Sequence, residues 1–248
     1  MKRVISFLSV VLICVMLFSS CQSVTFFGPD YKEITNNIFT KYIEMNVAVI
    51  TVHQNSTEQY ESQGSGVIYA KDDKYYYILT NHHVIDSDPD FPETSYTIYD
   101  CYGTEYNGTF VHSDATYDLA VIRITRGTEA LCVASLASRD PKKGTNVAVL
   151  STSNNLYNSL TYGKIRECKS VETHDKNGNI DTNVAFPVLW HNAPMWDGGS
   201  GSVLLNMDME LVGINYAVAT DNDGNFIYGF AISVSRVREY LEKNNLMK

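Results

Sequence analysis

The feature that most narrows the fold is a succession of short strand-like runs with almost no helical period between them. VAVITVHQ, GSGVIYA, YYYILTN, TSYTIYD, TFVHS, LAVIRIT and NVAVLS follow one another between Val47 and Ser151, separated by turn residues. β-rich runs in this style predict an all-β barrel or sandwich and argue against alternating strand–helix–strand units. The second half continues the style. HDKNGNID and TDNDGNF carry Asn177-Gly178 and Asp223-Gly224, dipeptides that favour hairpin turns. No internal repeat is sharp enough for a propeller or solenoid.

Helical period is found near the two ends of this region. In YKEITNNIFTKYIEMN, residues Ile34, Ile38, Tyr42 and Met45 share a face, which predicts a docking helix. In SVSRVREYLEKNN, Val234, Val237 and Leu241 do the same, predicting a terminal amphipathic helix. The chain begins differently, with MKRVISFLSVVLICVMLFSSC: two basic residues, an apolar run from Val4 to Phe18, then small residues. That run falls short of the roughly 20 apolar residues a spanning helix needs, and its flanks fit an export signal over residues 1–20. The LFSSC ending resembles the bacterial lipobox, with Phe18 where Leu is usual. The resemblance implies lipidation of Cys21, exposure on the extracytoplasmic face of a membrane, and a tether over residues 21–30. An ordinary signal peptide with an incidental cysteine is the alternative.

Charge then removes whole classes of partner. The chain has 19 basic and 28 acidic residues; cleavage before Cys21 would remove Lys2 and Arg3, leaving 17 against 28 and a net charge of −11. Nucleic acid and anionic membrane surfaces are poor partners for such a molecule. Beyond Cys14 and Cys21 there remain Cys101, Cys132 and Cys168. Three cysteines complete no disulfide framework, and none has metal-ligand spacing, so buried thiols are expected and no metal or organic cofactor is implied.

WDGGSGSVLLN, Trp196–Asn206, poses the functional question. Glycines this dense are costly in backbone entropy, and a loop aiming N–H groups and one hydroxyl at a common point would justify them. A plain Gly/Ser turn is the alternative on these residues alone. A nucleophilic Ser200 would need a histidine base, a carboxylate to orient it and donors for the oxyanion. All six histidines precede Ser200, whereas an α/β-hydrolase places its histidine afterwards and has a glycine where Ser202 stands. The order His, Asp, Ser remains. TNHHV, Thr80–Val84, ends one apolar strand, and DLAV, Asp118–Val121, opens another.

With GGSGSVL at Gly198–Leu204, these motifs resemble trypsin-like serine endopeptidases of the HtrA/DegP type. GSGVIY, ELVGINYA and YGFAISVSRVREYL fall in the same order as their counterparts in that family, so the likeness runs from about Val47 to Leu241. It implies two six-stranded antiparallel β-barrels with a short N-terminal and a C-terminal helix: a protease domain over 31–248, barrels at about 46–130 and 131–233, and the last helix at 234–245. It also implies roles: Ser200 as nucleophile, His83 rather than His82 as general base, Asp118 as the orienting carboxylate, and the N–H groups of Gly198 and Ser200 as oxyanion hole.

Departures from the family pattern bear on these roles. Gly199 replaces the usual Asn and Ser202 the second Gly of the motif. Pro194 and Met195, facing Asn215, Tyr216 and Ala217, would line the substrate pocket without an acid among them. Cleavage of protein or peptide substrates after small or medium apolar residues follows, and cleavage after Lys or Arg does not. No counterpart of the family's PDZ domain is expected. An inactive, protease-like lipoprotein serving as a binding module is the competing class.

Overall fold

The computed structural model describes residues 29–128, 130–153, 156–171 and 184–248. The export signal, Cys14, Cys21 and the Asn177-Gly178 turn lie outside the described residues. Six strands form the first barrel: β1 (Asn46–Gln54), β2 (Gln59–Lys71), β3 (Tyr75–Thr80), β4 (Glu93–Tyr99), β5 (Glu105–Asp114) and β6 (Leu119–Thr125). They close in the order β1-β2-β3-β6-β5-β4, antiparallel throughout.

A second barrel follows from β8 (Asn146–Ser153), β9 (Leu156–Lys169), β10 (Val188–His191), β11 (Val203–Asn206), β12 (Glu210–Thr220) and β13 (Phe226–Ser233). Its order is β11-β8-β9-β10-β13-β12, and β11 pairing with β12 closes it. The two-residue β7 (Ser135–Leu136) lies parallel on β12 as an addition. The architecture is therefore the expected one, two six-stranded antiparallel barrels with a short helix at either end.

Strand periodicity explains why several first-barrel strands read as continuous apolar runs instead of alternating ones. On β6, Ala120, Ile122 and Ile124 fill the first barrel, while Leu119 and Val121 point the other way and join the core centred on the second barrel. On β3, Tyr76 and Ile78 go inward and Tyr77 and Leu79 outward in the same manner. Successive side chains face opposite sides, so a strand buried on both faces has no polar positions to show. Each such aliphatic side chain contributes about 1.5–3 kcal/mol on burial, and truncating Ile78 or Ile122 to Ala would cost about 2–5 kcal/mol.

The helices tie the ends down. Helix α1 (Tyr31–Thr40) buries Ile38 and hydrogen-bonds Thr35 Oγ1 to the Tyr162 hydroxyl at 2.7 Å on β9. It stops short of the expected Met45, because Lys41 leaves helical geometry at φ −139° and a 3₁₀ turn over Tyr42–Met45 takes over. A Thr- and Asn-rich sequence has little intrinsic helix preference to resist that break. After β3, helix α2 is a single turn, His82–Ile85 in the β3–β4 connection, and helix α3 (Val234–Lys243) buries Val234, Val237, Tyr240 and Leu241. The cysteines differ from expectation. Cys168 is exposed and Cys101 and Cys132 only half-buried, all three as free thiols, since they sit on strand edges and turns where one side faces solvent. Burial still pushes the Cys101 thiol up, to about 12.

Candidate active site

The first barrel supplies an imidazole and a carboxylate. Strand β3 ends at Thr80, Asn81 stays extended at φ −84° and ψ 154°, and the single turn of α2 then lifts His83 beside Asp118. Nδ1 of His83 lies 2.8 Å from Oδ2 and 3.0 Å from Oδ1 of Asp118, and the His83 main-chain N–H donates to Oδ1 at 3.0 Å. Asp118 is an ionisable side chain only 4% exposed, while that of His83 is 38% exposed. A carboxylate accepts only, so Nδ1 carries the ring proton and Nε2 is left with a free lone pair. His82 turns elsewhere, its Nε2 3.7 Å from Asp86.

Asp118 holds an uncommon backbone conformation at φ 50°. Asp is among the few residues that tolerate the left-handed region, and here it is held there from both sides. Its N–H donates to the Ala115 carbonyl at 3.2 Å, and its carbonyl accepts from Asn81 Nδ2 at 2.9 Å. Asn81 is itself fully buried.

The second barrel supplies the hydroxyl, on the loop between β10 and β11. The Gly199 N–H donates to the Trp196 carbonyl at 2.9 Å, and Gly198 sits at φ 84°, which makes Trp196–Gly199 a turn that demands glycine at its third position. Gly201, at φ 82°, approaches the first barrel so closely that a Cβ there would meet the Ser65 carbonyl oxygen and Thr80 Oγ1. Among the described residues, neither the Gly198 nor the Ser200 N–H has a hydrogen-bond partner. Ser200 Oγ donates to the Tyr216 carbonyl at 3.3 Å.

Ser65 joins the two halves. Its N–H donates to the Ser200 carbonyl at 2.7 Å, and its hydroxyl donates to the Gly198 carbonyl at 2.7 Å and accepts from the Thr152 N–H at 2.9 Å. Thr80 Oγ1 donates in turn to the Ser65 carbonyl at 2.8 Å. The strand that ends in the histidine turn is thus tied through Ser65 to both sides of Ser200.

Of the five expected lining residues, Pro194 is half-buried and its carbonyl accepts from Thr161 Oγ1 at 2.6 Å. Met195 is 3% exposed, packed beneath Gly199. Tyr216 is 6% exposed, and Ala217 and Val218 turn progressively to solvent. Burial, and then the Asp118 charge, pushes the Tyr216 phenol up. Asn215 is fully buried: its main-chain N–H and carbonyl engage Ser202 and Gly201, and its side chain binds Ser202 and His191. Its polar groups are thus engaged inside the barrel.

Ser65, Asn81 and His191 have no role that composition or spacing assigns. The first two stand inside the motifs GSGVIY and TNHHV, which is the signal the sequence offers for them, and both are buried; His191 stands in no such motif. Among the described residues no group of three His, Cys, Asp or Glu side chains converges to hold a metal ion.

Residues 64–214 match the family model described as a trypsin-like peptidase domain. The chain is 31% identical over 193 residues to the serine protease Do-like HtrA of Bacillus subtilis, covering 76% of this chain and 41% of that protein. It is 28% identical over 210 residues to a probable periplasmic serine endoprotease DegP-like of Halomonas elongata, covering 84% of this chain and 40% of the other. The chain thus spans about two fifths of the length of these curated relatives. The active form of the Rv3671c protease from M. tuberculosis superimposes with a TM-score of 0.67 at 22% identity, covering 89% of each chain, a likeness of fold.

Proposed function

The chain belongs to the trypsin-like peptidase family, in its HtrA/DegP branch, and from that premise we propose that it is a working serine endopeptidase using Ser200, His83 and Asp118. The observation that carries the reading is the paired contact of His83 Nδ1 and N–H with the buried Asp118 carboxylate. That contact leaves Nε2 as the only basic ring atom.

In the reaction, Ser200 Oγ leaves the Tyr216 carbonyl and attacks the peptide carbonyl while His83 Nε2 takes its proton. The oxyanion accepts from the unpaired N–H groups of Gly198 and Ser200. Collapse breaks the C–N bond as the imidazolium returns the proton to the amine, and water repeats the cycle on the acyl-enzyme. Losing one such donor typically costs about 10²–10³-fold in rate. Asp118 stays ionised and stabilises the imidazolium without taking the proton.

The acyl side of the substrate would lie along the outer edge of β12. β11 pairs with β12 only at Leu211–Ile214, whereas β13 runs beside it to Thr220, so residues 216–220 are paired on one side only. The signal-like start and Cys21 support export and a diacyl anchor, and hence proteolysis at an extracytoplasmic membrane face. The test is covalent labelling by a fluorophosphonate, expected on Ser200 and absent in Ser200→Ala. A folded wild-type protein that stays unlabelled would favour the inactive binding module, for which the Ser200–Tyr216 hydrogen bond would be a resting state with no exit.

A further inference from the structure

A polar relay lies buried beneath the nucleophile loop, and none of the catalytic steps uses it. His191, at the end of β10, is fully buried, with Gly229 so close that a Cβ there would meet the ring. Its Nε2 lies 2.8 Å from Asn215 Oδ1. The Asn215 amide nitrogen in turn donates to Ser202 Oγ at 2.9 Å and to the Ser202 carbonyl at 3.2 Å. Ser202 closes the nucleophile loop through its own N–H to the Gly199 carbonyl at 3.1 Å.

The polarity of this relay is forced from one end. The Ser202 carbonyl only accepts, so the NH₂ face of Asn215 has to meet it, and Oδ1 is left for His191. Nε2 must then donate, which makes His191 the neutral Nε2–H tautomer. Without that donor nothing distinguishes the two ends of the Asn215 amide from behind. A flipped amide would set its oxygen against the Ser202 carbonyl, and the loop would yield where Ser200 is held.

We propose that His191 is a positioning residue for the nucleophile, acting through Asn215 to hold Ser202 and, with it, the Ser200 main chain in line for the oxyanion. The inference rests on the serine-peptidase reading above. It also explains Ser202, the departure from the family's glycine: its hydroxyl is the second acceptor for the Asn215 amide.

The test compares His191→Leu, which removes the donor, with His191→Gln, whose amide nitrogen reaches the same point as Nε2. Each is assayed for kcat and KM on a peptide substrate and for the rate of fluorophosphonate labelling. His191→Leu should lose about 10–100-fold in kcat and labelling rate with KM within about twofold, because misplacement at the reacting centre weakens the transition state more than the ground state. His191→Gln should return to within about threefold of wild type. Folded His191→Leu at wild-type kcat, or His191→Gln as slow as His191→Leu, would overturn the proposal. If His191→Leu does not fold, Asn215→Asp keeps the volume and removes the NH₂ donor; a fall in kcat supports the relay and wild-type kcat overturns it. A wild-type protein inert to the reagent would overturn the relay and the serine-peptidase reading together, whereas reactive wild type with equally reactive variants sinks the relay alone.

Discussion

Three contacts between His83 and one buried carboxylate separate it from its neighbour His82, whose ring stands 3.7 Å from the exposed Asp86. His83→Ala should therefore lose roughly 10⁴-fold or more in kcat/KM, and His82→Ala should stay within about threefold. A peptide assay of the two variants decides it, and the reverse pattern would mean the register is wrong. Gly201 is constrained by both backbone and space. Alanine there needs φ 82° and sets a Cβ against the Ser65 carbonyl oxygen. Gly201→Ala should lower unfolding free energy by about 3 kcal/mol or more, read as a drop in urea midpoint. His191 gives a pH signature. Burial pushes its imidazole down to about 4 from 6.5, with the Asn215 hydrogen bond and the Ala193 main chain pulling the other way. A base whose proton affinity falls on folding contributes stability above its ordinary pKa, and that contribution is lost as pH falls. Between pH 6.5 and about 4 the wild type should lose about 3 kcal/mol from this group, and His191→Gln should show a correspondingly shallower decline in urea unfolding.

At the scale of elements, helix α3 governs more than its own barrel. The Tyr240 hydroxyl donates to the His112 carbonyl at 3.2 Å and lies 3.1 Å from its Nδ1. Glu239 accepts from Tyr117, and Lys243 lies 3.5 Å from Asp114. These contacts grip the end of β5 and the connection to β6, which ends in Asp118. Tyr240→Phe should cost about 1 kcal/mol by removing the partner of half-buried groups on His112, measured by chemical denaturation; an unchanged midpoint would show that the clamp carries no weight. In the proposed reading, strand β12 sets specificity on the other side. With Asn215 turned inward, Tyr216, Ala217 and Val218 would remain as the substrate-facing edge, and no acid stands among them. Profiling with a peptide library should find cleavage after small or medium apolar residues. Dominant cleavage after Arg or Lys would require a carboxylate that reaches the pocket from another element, because an unpaired buried cation is too costly.

At the scale of the whole molecule, the proposed active site belongs to neither barrel alone. His83 and Asp118 come from the first and Ser200 from the second, and Ser65 is the hydrogen-bonded hinge-pin between them. The proposed export and lipid anchor rest on the first 21 residues and are tested separately. Cys21→Ser should abolish incorporation of labelled fatty acid and move the protein from the membrane to the soluble fraction; retention on the membrane would rule out the lipid anchor. Strand existence, the terminal helix and the three motif positions were legible in the sequence because they depend on local period, turn chemistry and residue type. The half-helix at Lys41, the exposed face of Cys168 and the burial of Asn215 were not, since each is set by what another part of the chain packs against it. The same reason hid His191. A histidine nine positions from a serine says nothing in one dimension, and only the closure of β10, β12 and β13 into one barrel brings its ring against Asn215 and beneath the loop that carries Ser200.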